Sequence, residues 1–127
     1  MVDEITSVAC LPGLSHGAFR LYAILAGVAR QKDAQDSYFP VTLTGLQKVH
    51  PGTSGKCVGY VTILNQISEL RRRDLLEIRA SLNRNKPGLP VLVRVLYRNP
   101  STCWIATDGS SLTASDVESL IDVQSLH

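Results

Sequence analysis

The chain has 127 residues, of which 44% are hydrophobic and 19% are charged, a composition that is typical of one folded globular domain and excludes wholesale disorder. Residues 1–98 hold all 13 Lys and Arg against seven acidic residues, a net charge of +6, whereas residues 99–127 hold four acidic residues and neither Lys nor Arg. A basic body favours a polyanionic partner, and an ordinary solvated basic surface is the alternative.

The cysteines and the first residues of the chain indicate in which cellular compartment the protein is expected. Cys10, Cys57 and Cys103 are odd in number and far apart, so they predict neither a disulfide framework nor a zinc site, and each is expected to be a small buried residue. The first residues are acidic where a signal peptide needs cations, and no apolar run has membrane-spanning length. We therefore expect a soluble protein of the bacterial cytosol or nucleoid, without a metal or cofactor.

Helical periodicity is clear in the first third of the chain. It predicts a first helix over residues 14–31, with Ser15 as its cap. The extended segment YFPVTL follows a polar loop, and its Pro40 suits an edge strand or the entry to a helix. The segment LTGLQKV then predicts a short second helix, capped by Thr42 or Thr44.

A third helix is predicted from about Lys56 to Arg73, after the turn HPGTSG, with Thr53 or Ser54 as its cap. Its apolar side consists of Tyr60, Ile63, Leu64, Ile67 and Leu70. Its outer side is rich in amide and hydroxyl groups and consists of Val58, Thr62, Asn65, Gln66, Glu69 and Arg72. Asp74 follows the helix, and Asp tolerates the left-handed conformation that ends one.

The second half of the chain predicts a hairpin and a last helix. LLEIRASL and PVLVRVLY have the character of strands, and NRNKPG between them predicts a β-hairpin with a cationic tip. A short apolar patch then surrounds Trp104. Finally, TASDVESLIDVQSL predicts a helix capped by Thr113 or Ser115, with an apolar strip formed by Val117, Leu120 and Ile121.

This order of elements resembles that of the winged helix-turn-helix domains of bacterial, plasmid and phage regulators and replication or partition proteins. The resemblance lies in LS..AFRLYAIL, an extended segment with FP, and ISEL...DLLEI. It implies an α+β fold over residues 1–98, with three helices and a β-hairpin wing. Residues 99–127 would form a C-terminal extension whose short helix serves for dimerisation or packing. The turn VHPGTSGKC departs from the family in being longer and richer in Gly, and Asp74 stands where relatives usually have Gly.

The resemblance also implies how such a domain would contact DNA. The third helix of a winged domain lies in the major groove, where side chains read the edges of the bases. Base contacts are expected from the start and the outer face of this helix, namely from Thr53, Ser54, Lys56, Thr62, Asn65 and Gln66. Phosphate contacts are expected from cations near the helix ends and on the wing, namely from Lys48, Arg72, Arg73, Arg79, Arg84 and Lys86. For the arginines that end the helix, a solvated helix terminus is the alternative.

The resulting expectation is a protein that binds double-stranded DNA sequence-specifically, as a transcriptional regulator or as a plasmid or phage replication or partition factor. A homodimer on two-fold half-sites is expected, because one winged helix contacts few base pairs. The alternative is a winged-helix module for protein–protein interaction in a larger assembly. Catalysis is not expected, because His16, His50 and His127 have no partners at motif spacing and PGTSGKC lacks the spacing of a phosphate loop. No small-molecule ligand is evident.

Overall fold

The computed structural model describes residues 4–52, 55–79, 84–96, 103–105, 107–108 and 110–121. Its helices and strands follow in the order α1 (Glu4–Ala9), α2 (His16–Gln31), β1 (Phe39–Val41), α3 (Leu43–Val49), α4 (Tyr60–Arg72), β2 (Leu76–Arg79), β3 (Val91–Val95), β4 (Cys103–Ile105), β5 (Ser111–Thr113) and α5 (Ala114–Ile121). Contacts group Ser15–Leu96 into one unit and Met1–Leu14 with Tyr97–His127 into another. The chain is therefore α+β, as predicted. Among the described helices, none is both long and apolar enough to cross a membrane.

Helix α2 confirms the first predicted helix. Ser15 caps it as expected, because its hydroxyl accepts a hydrogen bond from the amide of Ala18 at 3.2 Å. The cap is also joined to α4, since the amide and the hydroxyl of Ser15 donate to the carboxylate of Glu69 at 2.7 and 2.8 Å. The buried side of α2 repeats every three or four residues and consists of Ala18, Leu21, Tyr22, Leu25, Ala26 and Ala29.

The three-stranded sheet of the Ser15–Leu96 unit is antiparallel, with the strand order β1-β3-β2. Strand β1 lies at the edge of the sheet. Pro40 has no amide hydrogen, and at an edge it removes no hydrogen bond between inner strands. Strand β2 pairs with β3 over its whole length, which confirms the predicted hairpin. The buried side chains of β3 alternate along the strand, as a sheet with one covered face requires, and they are Val91, Val93 and Val95.

Three local predictions around α3 and α4 are confirmed. Thr42 caps α3, because its hydroxyl accepts a hydrogen bond from the amide of Gly45 at 3.0 Å. Asp74 has a φ of 57°, so it adopts the left-handed conformation that was expected where α4 ends. The apolar side of α4 is also as predicted at its centre, where Ile63, Ile67 and Leu70 are buried.

The predicted start of the third helix is wrong. Helix α4 begins at Tyr60 rather than at Lys56, and its N-cap is Gly59 rather than Thr53 or Ser54. Both Thr53 and Ser54 lie outside the described residues. The helix is therefore about one turn shorter at its N-terminus than the sequence pattern suggests.

Backbone pairing in the loop before α4 explains this difference. The amide of Gly52 donates to the carbonyl of Lys56 at 2.6 Å, and the amide of Val58 donates to the carbonyl of His50 at 3.2 Å. Gly55 has a φ of 83°, which reverses the chain between the paired residues. Cys57 forms a bridge with Pro51, while Lys56 and Val58 are hydrogen-bonded to Gly52 and His50. Residues 56–58 therefore cannot also form the first turn of a helix.

The second unit contains one element that was predicted and three that were not. Helix α5 is capped reciprocally: the amide of Asp116 donates to the hydroxyl of Thr113 at 3.0 Å, and the amide of Thr113 donates to the carboxylate of Asp116 at 2.9 Å. The hydrogen bond from the Thr113 amide, followed by the interaction with the Thr113 side chain, holds the pKa of Asp116 below its usual range. The residues around Trp104 form β4, which pairs with β5. The sequence pattern did not predict β4, β5 or α1.

A polar cluster covers the end of the sheet that β2 and β3 share. The hydroxyl of Tyr38 donates to Glu77 at 2.7 Å, and the guanidinium of Arg94 donates to the same carboxylate at 2.7 Å. The hydrogen bond from Tyr38, followed by the one from Arg94, holds the pKa of Glu77 below its usual range. The folded-state pKa thus lies below that of the unfolded chain, so the cluster stabilises the fold above the ordinary glutamate range and loses this contribution as the pH falls through the lowered pKa.

We predict that Tyr38→Phe raises the pKa of Glu77 towards its ordinary value, because the substitution removes the largest cause of the shift. The measurement is a pH titration of the Glu77 carboxyl group by carbon-13 NMR. Tyr60→Phe is the matched control, since Tyr60 lies in α4 outside this cluster, and it should leave the titration unchanged. An unaltered Glu77 titration in Tyr38→Phe would contradict the assigned cause.

Candidate nucleic-acid interface

Helix α4 presents one continuous exposed stripe to solvent. Thr62 and Asn65 are exposed, as predicted for side chains that read bases. The structure adds two residues that sequence reasoning missed, since Val61 is 51% exposed and Ser68 is also exposed. Val61, Asn65, Ser68 and Arg72 are separated by four, three and four residues, so they lie along one side of the helix. The helical spacing of these four residues could have revealed the stripe in the sequence. Val61 is apolar, however, and an apolar residue is not expected on an exposed face.

Gln66 does not belong to this stripe, so its placement on the outer face was wrong. Its side chain is half-buried, and its Oε1 accepts a hydrogen bond from Nε2 of His50 at 2.6 Å. The other end of the amide lies against Gly17 of α2, where a Cβ atom would overlap it. Gln66 therefore joins three helices of the unit instead of presenting its amide to solvent. Glu69, also placed on the outer face, is likewise half-buried and hydrogen-bonded to Ser15.

His50 is the residue to which the Gln66 side chain is hydrogen-bonded. It lies at the C-cap of α3 and is 1% exposed. Since Oε1 of Gln66 can only accept, Nε2 of His50 carries the proton, and Nδ1 of a neutral ring is left as an acceptor. Nδ1 is buried and has no hydrogen-bond partner among the described residues.

The predicted cations form separate groups. Lys48, in the last turn of α3, and Lys56, in the loop before α4, are exposed and line one shallow cleft. Cys57 lies beside them and is exposed, so the expectation of a buried side chain is wrong for this cysteine. The end of α3 and the loop that follows it thus carry two of the predicted DNA contacts.

A second group lies in the loop between β2 and β3, where Arg84 and Lys86 are exposed. This loop is attached to the start of α3, because the amide and the hydroxyl of Thr44 donate to the carbonyl of Pro87 at 3.1 and 3.3 Å. The hydrogen bonds hold one side of the cationic loop close to the helix that precedes α4.

The third group, Arg71 to Arg73, is exposed at the end of α4. These arginines precede β2, whereas Arg84 and Lys86 follow the far end of that strand. Four residues of strand span roughly 10 Å, so the two groups lie at opposite ends of the hairpin. The structure does not bring them together into one patch.

Arg79 occupies an intermediate position at the end of β2. It is exposed, and its guanidinium carbon lies 4.3 Å from the centroid of the Tyr38 ring. A cation over an aromatic face is held by the quadrupole of the ring, which gives this side chain a defined orientation at the sheet.

Comparisons with protein-family models, with curated proteins and with solved structures found no match to this chain. Within the described residues, no three His, Cys, Asp or Glu side chains are grouped so that they could hold a metal ion. A function is therefore proposed from the arrangement of the described side chains and from the sequence.

We predict that Gly17→Ala destabilises the protein although alanine favours helices. The new Cβ would displace the amide of Gln66 and leave the buried His50 without its partner, which costs about 1–3 kcal/mol and exceeds the roughly 0.5–1 kcal/mol gained from replacing Gly in a helix. The measurement is urea unfolding followed by circular dichroism.

Gly27→Ala is the matched control on the same helix. A Cβ at Gly27 has nothing within 4 Å, so this variant should gain stability from its helix propensity alone. If both variants are stabilised equally, the role assigned to Gly17 is wrong.

Proposed function

We propose that the Ser15–Leu96 unit is a winged helix-turn-helix domain that binds double-stranded DNA sequence-specifically, with α4 in the major groove. The observation that carries this proposal is the exposed stripe of α4, whose methyl, hydroxyl and amide groups lie between cations at the start and at the end of the helix. The order of helices and strands and the antiparallel sheet are compatible with such a domain.

The stripe supplies the chemistry that base edges require. Asn65 can pair with adenine through two hydrogen bonds, and the methyl groups of Val61 can contact the methyl group of thymine. Thr62 can donate to or accept from either kind of base pair. We do not assign Gln66 to a base, because its amide is held by His50. Its role in this proposal is to orient the helix.

The cations have a different role, which is to bind phosphates and release counterions. Lys48 and Lys56 line one cleft between the end of α3 and the following loop, and Arg84 and Lys86 lie on the loop that Thr44 holds. Arg72 and Arg73 lie at the other end of β2 from that loop. We assign these groups to different segments of the DNA backbone.

The prediction that tests this function uses selection from a pool of random duplexes, followed by binding measurements at two salt concentrations. Asn65→Ala should weaken binding to the selected site by about 1–3 kcal/mol and relax preference at one position, because it removes a base contact. Arg84→Gln should weaken binding to all sequences and reduce the slope against salt by about one, because it removes a phosphate contact.

Lys32→Gln is the control for loss of charge, since Lys32 is exposed at the end of α2 and belongs to none of the three cationic groups. It should leave the affinity for the selected site unchanged. The proposal is wrong if no duplex is enriched, or if Lys32→Gln and Arg84→Gln weaken binding equally while both proteins remain folded.

We further propose that the protein acts as a transcriptional regulator or as a plasmid or phage replication or partition factor. This part rests on the resemblance of the sequence to the winged domains of such proteins. Sequence-specific binding is common to these roles, so the selected site and its symmetry are the first observations needed to separate them.

We also propose a homodimer that uses α5. Leu120 and Ile121 are 71% and 73% exposed, so the end of this helix presents an apolar surface, while its first turn is capped and acidic.

We predict that Leu120→Glu shifts the protein from dimer to monomer in sedimentation measurements, because a charge buried in an apolar contact is unfavourable. Ser119→Glu, at a neighbouring exposed position, is the control. A wild-type monomer would contradict this part of the proposal.

One observation favours the second candidate function, a module for protein–protein interaction. A cleft of about 420 Å³ lies between α2, β1 and α3, and its lining is largely apolar, with Ile24, Val28, Val41 and Val49 among the residues. An apolar side chain of a partner would fit such a surface. The duplex selection separates the candidates, since a protein-interaction module should enrich no DNA sequence.

A further inference from the structure

The cleft of about 420 Å³ between α2, β1 and α3 is an apolar groove. Among its described lining residues, Thr42 is the one polar side chain, and its hydroxyl already accepts a hydrogen bond from the amide of Gly45. Val49 lines the groove and is 55% exposed, and Leu89, which precedes the lining residue Pro90, is also exposed. This surface is therefore suited to aliphatic side chains rather than to polar or charged ones.

Helix α5 presents a matching apolar surface. Its Val117, Leu120 and Ile121 have the spacing i, i+3 and i+4, which is the spacing of the side chains that anchor a helix in an apolar groove. The hairpin of β4 and β5 lies against α5 but leaves Leu120 and Ile121 exposed. The chain thus contains both an apolar groove and a helix of the kind that such a groove binds.

Helix α5 is acidic as well as apolar. Asp116 is four residues before Leu120, and Glu118 is three residues before Ile121, so each carboxylate lies about one helical turn from an exposed apolar side chain. Residues 99–127 hold four acidic residues and neither Lys nor Arg. A surface that binds α5 should therefore be apolar and should border on cations.

The apolar groove meets both requirements at its α3 end. Val49 lines the groove and also lines the neighbouring cleft that contains Lys48 and Lys56. Complementary charges beside an apolar contact favour one partner and one orientation over others. An ammonium group has three N–H donors, so Lys48 can bind a carboxylate as well as the phosphate assigned to it above.

We propose that α5 of one copy of the chain lies in the apolar groove of a second copy, with Leu120 and Ile121 inserted into the groove and Glu118 beside Lys48. Each copy has one such helix and one such groove, so exchange in both directions forms two identical contacts and a closed two-fold dimer. The inference rests on the proposed homodimer through α5, and it identifies the surface that this helix contacts.

The first test is sedimentation of the full chain over a range of protein concentrations. Val49→Glu should weaken the dimer by at least about tenfold, because it places a charge in the apolar contact. Val61→Glu is the matched control, since Val61 is also a valine, is 51% exposed and lies in α4, outside the lining of the groove. The control should leave the dimer unchanged, and circular dichroism verifies that both variants are folded.

A mixture of two defective variants tests the exchange directly. The Val49→Glu variant retains an intact α5, and the Leu120→Glu variant retains an intact groove, so a mixed dimer keeps one of the two contacts. At a concentration at which neither variant associates alone, the mixture should form a mixed dimer. If both variants are folded and no mixed dimer forms, the proposal is overturned, because that result is expected when α5 packs against α5 of the partner.

Charge reversal tests the orientation of the helix in the groove. Glu118→Lys should weaken the dimer about twofold to fivefold, as expected for the loss of an exposed ion pair, and adding Lys48→Glu to the same chain should restore it. A double variant that dimerises no better than Glu118→Lys would contradict the position assigned to α5.

The results separate this inference from the proposed homodimer. If Leu120→Glu dissociates the dimer and Val49→Glu does not, the homodimer through α5 stands and the assignment of the groove is wrong. If the wild-type chain is monomeric at every concentration, both proposals fail. Dissociation by Val49→Glu but not by Val61→Glu, together with a mixed dimer of the two defective variants, is the result that we expect.

Discussion

The hydrogen bond between His50 and Gln66, together with the burial of the apolar side of α4, fixes which side of this helix faces the solvent. It connects the end of α3 to the middle of α4 within the packed part of the unit, and Gly17 of α2 leaves room for it. Because an unpaired buried partner would be costly, rotation of α4 about its own axis is opposed by this bond as well as by the burial of its apolar side. Val61 and Asn65 point outward as a consequence. A residue that has the chemistry to read a base is thus used to orient the helix that would read it.

The short hairpin between α3 and α4 accounts for the second distinctive feature of the surface. Its backbone pairing extends residues 56–58, delays the start of α4 and leaves Gly59 at the N-cap. The same loop places Lys56 in one cleft with Lys48. The positions of two proposed phosphate contacts therefore depend on the end of α3 and on the loop that follows it.

The features that the sequence determined by itself are those with local causes. The periodicity of α2 and of the centre of α4, the cap at Ser15 and the left-handed conformation of Asp74 each depend on residues within about one helical turn. The sequence left two candidates for each of the other caps, and the structure selects Thr42 and Thr113. The β2–β3 hairpin belongs to the same class, because alternating strands flank a loop rich in turn residues. The α+β class follows from these elements. The winged-helix identity and the DNA-binding function remain proposals.

The tertiary structure decided the features that depend on pairing between distant residues. The amide of Gln66 has the same composition whether it faces water or His50, and only the packing of α3 against α4 selects the second arrangement. The predicted start of α4 was wrong because Lys56 is hydrogen-bonded to Gly52. The spacing of apolar residues in a sequence does not indicate such a backbone hydrogen bond. The separation of the arginines of α4 from the cationic loop, and the gathering of Arg20 beside Lys56, likewise arise from the path of the chain. The charged residues can be counted in the sequence. The distances between them, on which their electrostatic interactions depend, are set only when the helices and strands pack together.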